Sequence, residues 1–111
     1  MKTFIQPGHQ VSVPAPANVT SGQGVLVGSL FGVAVHDALS GADVELALEG
    51  VFRMAKATGA AWTVGVRLYW DDAAKNLTTT ASTNKLVGVA TVAAGSADTT
   101  GIIRLSSAFT L

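Results

Sequence analysis

The sequence predicts an all-β protein: a small antiparallel β-barrel or sandwich built from two similar halves, with at most one short helical turn. Three observations carry that prediction. Apolar and polar residues alternate along the clearest segment, where Val44, Leu46, Leu48, Phe52 and Met54 share one parity and Glu45, Ala47, Glu49 and Arg53 the other. The one helical candidate, Ala57 to Val64, is hemmed by Gly59 and Gly65 and is too short to propagate. Leu30-Phe31-Gly32-Val33-Ala34 also returns as Leu86-Val87-Gly88-Val89-Ala90, with β-like segments around each copy. Each half alone would expose an apolar face, and two halves placed together can cover it.

Taken in order, Gln10 to Val13 reads as a short strand running into Pro14-Ala15-Pro16, whose prolines have no N–H for a ladder and mark an edge or a departing arm. Ser21-Gly22-Gln23-Gly24 is a turn, followed by strands near Val25 to Val27 and Leu30 to Val35 on either side of Gly28-Ser29. His36 to Asp43 is the next turn. The alternating segment then reads as one half-buried strand with Gly50 inside it; as a helix, Gly50 would cost about 1 kcal/mol relative to Ala. Val66, Leu68 and Trp70 alternate again before Asp71-Asp72-Ala73-Ala74-Lys75-Asn76, a solvated hairpin loop leading to Leu77 and Thr78-Thr79-Thr80. The last strands are Leu86 to Ala93 and Ile102 to Leu105. This divides the chain into an N-terminal arm and edge strand over 1–20 and a single domain over 21–111, with pseudo-repeat halves at about 24–54 and 65–109.

Composition narrows the function. The 111 residues suit one domain, which buries about 65% of the surface exposed by its unfolded chain. Seven Lys plus Arg balance seven Asp plus Glu, so no global field draws nucleic acid or anionic lipid. With no Cys there is no disulfide, thiolate metal site or Cys nucleophile. Charged residues make up 13%, against about 25% in ordinary soluble domains, while hydrophobic residues make up 49%. A surface so short of charge points to partial coverage by sibling chains or another protein. Met1 to Ile5 ends at Gln6 and Pro7, which predicts no signal peptide, and Gly24 to Val35 falls short of the ~18–20 apolar residues of a membrane helix.

Candidate chemistry is sparse. His36-Asp37 is the one adjacent acid–base pair, and it sits in a predicted turn without a third group. His9 could join it as a metal ligand only if the fold supplied a carboxylate beside them. Asp71-Asp72 lacks a regular series of oxygen ligands and has Lys75 nearby, which favours a solvated loop over a cation site. Gly22-x-Gly24-x-x-x-Gly28 has the wrong spacing for a dinucleotide loop, and neither a phosphate-binding loop nor a Gly-x-Ser-x-Gly elbow occurs. No catalytic residue, cofactor or metal is therefore assigned. The aromatic residues are the better guides. Trp62, Tyr69 and Trp70 cluster at the entry to the second half, with Tyr69 and Trp70 on opposite faces, one free for contact while the other fills the interior. Phe4 and Ile5, ahead of Pro7, either dock on a neighbour or pair within the domain. Phe4, Ile5, Trp62 and Tyr69 are the candidate interface residues.

The ordered set Phe4-Ile5-Gln6-Pro7-Gly8, Ser21 to Ala34, Glu49-Gly50-Val51-Phe52, Tyr69-Trp70-Asp71 and Leu86 to Ala90 resembles the capsid cement, or decoration, proteins of tailed phages grouped as the DUF2190 family. The resemblance spans nearly the whole chain. It implies a β-rich homo-oligomer, a trimer favoured over a dimer, that binds the major capsid protein on the outside of the expanded shell and stabilises it. It also implies residence on the virion after synthesis in the bacterial cytoplasm, and no catalytic residues. Two other classes compete: a carbohydrate-binding β module stacking sugar on Trp62, Tyr69 or Trp70, and a small hydrolase using His36 and Asp37.

Overall fold

The computed structural model describes residues 10–105, all of whose regular structure is β. Four strands form the first sheet: β1 (Gln10–Pro14), β2 (Gly24–Val27), β3 (Leu30–Ala34) and β4 (Asp43–Ala47), in the order β1-β4-β3-β2. Five form the second: β5 (Val51–Ala55), β6 (Arg67–Asp71), β7 (Asn76–Thr78), β8 (Lys85–Ala90) and β9 (Thr100–Leu105), in the order β5-β9-β8-β6-β7. Every ladder is antiparallel.

Without β7, the second sheet repeats the first strand for strand. β5 stands where β1 does, β9 where β4 does, β8 where β3 does and β6 where β2 does. The two echoed segments are β3 and the end of β8, third in each order. Loop bonds match as well. Gly22 N–H donates to Ala34 O and Gly65 N–H to Ala90 O, both at 2.8 Å, and these glycines have φ of 86° and 88°. Val19 and Ala38 form a bridge, as do Trp62 and Ala94. Ala15 N–H donates to Ala42 O and Lys56 N–H to Thr99 O, again both at 2.8 Å.

Alternation explains how the sheets pack. One buried cluster gathers Ala15, Val19, Val25, Ala34, Val44, Leu46 and Leu48, all from the first sheet and its loops. The other gathers Met54, Trp62, Leu68, Trp70, Leu77, Val87, Ala90, Ile103 and Leu105 from the second sheet, together with Phe31 and Val33 of β3. Since neighbours along a strand face opposite ways, β3 sends Ala34 into one core and Phe31 and Val33 into the other. It is buried on both faces and joins the two halves. Phe31 and Trp70 mark the junction, with ring centroids 5.1 Å apart and tilted by 49°.

The outcome is a sandwich-like body, not the closed barrel that was the other option. A single parallel bridge, Lys56 to Leu77, returns β7 toward the end of β5, and no ladder continues from it. The Val44–Met54 segment is also two strands, not one. The chain leaves the first sheet after Ala47, turns at Gly50 with φ of 121°, and enters the second sheet at Val51. Parity survives the turn, so Val44, Leu46 and Leu48 point into the first core and Met54 into the second. Residues 57–64 form no helical turn; they hold the Trp62 bridge to Ala94. Among the described residues β1 pairs only with β4, as its terminal Pro14 suggests.

Candidate functional site

The outer face of the second sheet carries a patterned row of side chains. Its register aligns four side chains across four strands: Val51 of β5 opposite Arg104 of β9, Arg104 opposite Val89 of β8, and Val89 opposite Arg67 of β6. Directly opposed residues share a face, so this row alternates valine and arginine. Arg53 and Ile102 form the next row, and Tyr69, two residues beyond Arg67, continues the face against Thr78 and Leu86. All three arginines of the chain therefore lie on one surface. Arg67 and Arg104 sit two strands apart, about 10 Å at ordinary strand spacing.

Val51 is 57% exposed and Val89 36%. A register shift beside Leu68 and Tyr69 leaves Val87 without its own partner on β6 and turns it inward, while Val89 stays out. The corresponding row of the first sheet is Gln10, Ala47, Val33 and Gly24. There Val33 is 4% exposed and lies in the core of the second half. A Cβ on Gly24 would meet Trp70, Met54 and Phe31. Gly24 and Val33 are thus covered in the first sheet, whereas Arg67 and Val89, which take their places in the second, are uncovered.

The sequence-predicted residues fall in different places. Phe4, Ile5 and His9 lie outside the described residues. Trp62 is 2% exposed, with its ring against Gly101 and the Lys56 ammonium 5.7 Å from its centroid. Trp70 is also 2% exposed, so a sugar-stacking platform would have only the half-buried Tyr69 of the three rings. Tyr69 and Trp70 do point opposite ways, and Tyr69 lies on the arginine face.

His36 and Asp37 are exposed and engage backbone rather than each other. His36 Nδ1 is 2.9 Å from the Asp37 carbonyl, its Nε2 accepts from Glu45 N–H at 3.4 Å, and Asp37 Oδ1 accepts from Ser21 N–H at 2.7 Å. These bonds tie the 35–42 loop to its neighbours. Asp71 caps the hairpin turn by accepting from Ala73 and Ala74 N–H, both at 3.1 Å. Asp72 accepts from Trp70 Nε1–H at 3.0 Å and Lys75 Nζ at 2.8 Å. Partial burial pushes its carboxyl up, but the hydrogen bonds from Lys75 and Trp70 and the Lys75 charge outweigh it, leaving the pKa below 3.8. No group of three or more His, Asp and Glu side chains among the described residues could hold a metal. A cleft of about 280 Å³ at the junction is lined by Thr20, Gly24, Met54 and Trp70.

Lys56 was not foreseen. It is 3% exposed, in the place that Ala15 takes in the first half, and its ammonium donates to Ala57 O at 3.0 Å and Asp98 O at 3.4 Å. The arginine row was not foreseen either, because it exists only once four strands are in register.

A duplicated β scaffold, with its halves joined through β3 and with a patterned outer face, defines the class as an all-β sandwich-like protein. The comparisons give that class its family. The family model of phage cement proteins matches residues 5–105, and the chain belongs to that family. Its setting is accordingly the phage capsid. No curated protein and no solved structure gives a significant match.

Proposed function

We propose that the chain is a structural virion protein that binds the outer surface of the expanded capsid as a homo-oligomer and stabilises the shell without catalysing a reaction. The family match over residues 5–105 carries this reading. The major capsid protein is the partner, and the protein is made in the cytoplasm of the bacterial host before joining the virion. A duplicated body that exposes valines beside arginines suits seams between capsid subunits, where apolar contact adds affinity and fixed charge sets register.

Oligomerisation supplies retention. A single contact worth about −4 kcal/mol is millimolar, but further contacts made by the same oligomer are intramolecular and multiply residence. In the test, purified full-length protein is added to expanded shells that lack it. Saturable addition and greater resistance of the shells to heat or chelator are expected. Protein that leaves shells undecorated at tens of micromolar would refute the proposal.

A further inference from the structure

We propose that the arginine face of the second sheet is the contact between copies of this chain, docking head to tail on the carboxylate face of the first sheet of the next copy. The inference deepens the oligomer part of the proposed function and rests on that reading for its biological purpose.

The argument starts from the matched rows. In the first sheet, Gly24, Val33 and Ala47 are small or apolar, and Gly24 and Val33 abut the second core. In the second sheet the same places hold Arg67, Val89 and Arg104, and no described residue covers them. A row in which valines alternate with guanidinium groups fits a surface that supplies carboxylates, each of which can take a charge-assisted hydrogen bond from an arginine.

This chain has such a surface. On the outer side of β4, beyond the part covered by the second half, Asp43 and Glu45 are both exposed, beside Pro14 and Ser12 of β1. Their charges are unspent: among the described residues the single salt bridge is Lys75 to Asp72. Zero net charge therefore conceals a polar molecule, cationic on one sheet and anionic on the other. That polarity fixes the geometry. A two-fold contact through the arginine face would set guanidinium against guanidinium, whereas a head-to-tail contact pairs opposite signs at every junction. Head-to-tail contacts whose rotation closes form a ring, the arrangement of a cyclic trimer.

The test uses full-length protein and sedimentation equilibrium, with circular dichroism and thermal melting as folding controls. Arg67→Glu with Arg104→Glu places like charges at each junction and is expected to weaken self-association by on the order of 100-fold or more. Asp43→Lys with Glu45→Lys is expected to do the same. A chain carrying all four substitutions regains opposite faces and is expected to recover association to within about ten-fold, and the two doubly substituted chains are expected to associate when mixed. Wild-type association should also weaken between low and high salt. Should a reversed chain fail to fold, the neutral pair Arg67→Gln with Arg104→Gln reads the same contact through a smaller loss.

A monomeric wild type, a folded reversed chain that associates like wild type, or a folded four-fold variant that fails to recover would each overturn the proposal. Shell addition is scored separately. Reversed chains that remain oligomeric, with a wild type that still decorates shells, sink this interface and leave the capsid role standing. A charge-sensitive oligomer that ignores shells does the opposite.

Discussion

Gly24→Ala tests the junction between the halves most directly. Gly24 opens β2, and its φ lies outside the left-handed region, so alanine meets no backbone penalty there. The obstacle is space: a Cβ would stand 2.7 Å from Trp70 Cη2, 2.9 Å from Met54 Cε and 2.9 Å from Phe31 Cζ. The Met54 methyl can swing aside. Trp70 is less free, because Nε1–H is held by Asp72 at 3.0 Å and its ring lies against Phe31. Overpacking of this kind costs about 1–3 kcal/mol, offset by about 0.4–1 kcal/mol from the stiffer unfolded chain. A net loss of roughly 1–2 kcal/mol follows. For a chain of 111 residues, 1 kcal/mol corresponds to about 4 °C, so calorimetry should show Tm lower by about 4–8 °C. Trp70→Phe removes the ring atom that alanine strikes. In that background Gly24→Ala should cost at least about 1 kcal/mol less, a coupling that a double-mutant cycle isolates. Undiminished stability of the single variant, or equal costs in both backgrounds, would refute the account of the junction.

Other perturbations separate core from surface. Trp62→Ala should cost about 3–5 kcal/mol in urea denaturation, since a nearly fully buried indole is lost, whereas Tyr69→Ala on the outer face should cost under about 1.5 kcal/mol. Gly88→Ala drives a methyl into the Arg104 backbone carbonyl of the adjacent strand, which cannot swing aside; a loss of about 3 kcal/mol or more is expected, seen as a collapse in soluble yield. Asp72 has a folded pKa below its ordinary 3.8, so its contribution is complete above the unfolded pKa and disappears as pH falls through the folded value. Because the side chain is 47% exposed, that contribution stays under about 1 kcal/mol. Asp72→Asn should flatten this part of the acid limb when urea midpoints are compared between pH 6 and pH 2.5.

What the sequence made legible was parity and repetition, which are local. Val44, Leu46 and Leu48 alternate because one face of β4 is dry, and Tyr69 and Trp70 divide between faces because they are neighbours on β6. The echo of Leu30–Ala34 in Leu86–Ala90 marked equivalent strands because Gly32 and Gly88 meet the same demand: each lies against the next strand, where a Cβ would strike Ala47 O or Arg104 O. Sheet membership was not legible. Alternation reports which face is wet and says nothing of which sheet a strand joins, so the turn at Gly50 was hidden inside an unbroken pattern. Trp62 offers the same lesson. An aromatic residue in a loop resembles an anchor for a partner until its bridge to Ala94 places the ring over Gly101. The arginines are farthest from local reading, since Arg53, Arg67 and Arg104 share a surface only through the order β5-β9-β8-β6.

The matched halves also indicate where new work resides. Where the two sheets carry similar residues they meet the same demand: Gly22 and Gly65 turn the chain alike, and Ala34 and Ala90 take the same ladder bonds. Where they differ, the demand differs. Val19 gives way to Trp62, which joins the second core, and Ala15 to Lys56, while Trp70 and Met54 of that core meet Phe31 and Gly24 from the first half. That contact uses one outer face of the pair and leaves its counterpart free. On that free face Arg67 and Arg104 stand where the first sheet has Gly24 and Ala47, and Arg104 Nη1–H donates to Leu105 O at 3.3 Å. An uncovered row of arginine and valine is available for contact outside the chain, and the phage cement family makes the capsid the setting of that contact. In the head-to-tail contact proposed above, Asp43 and Glu45 of the next copy would answer these arginines, so that the chain provides both sides of a contact that can recur identically over a symmetric shell.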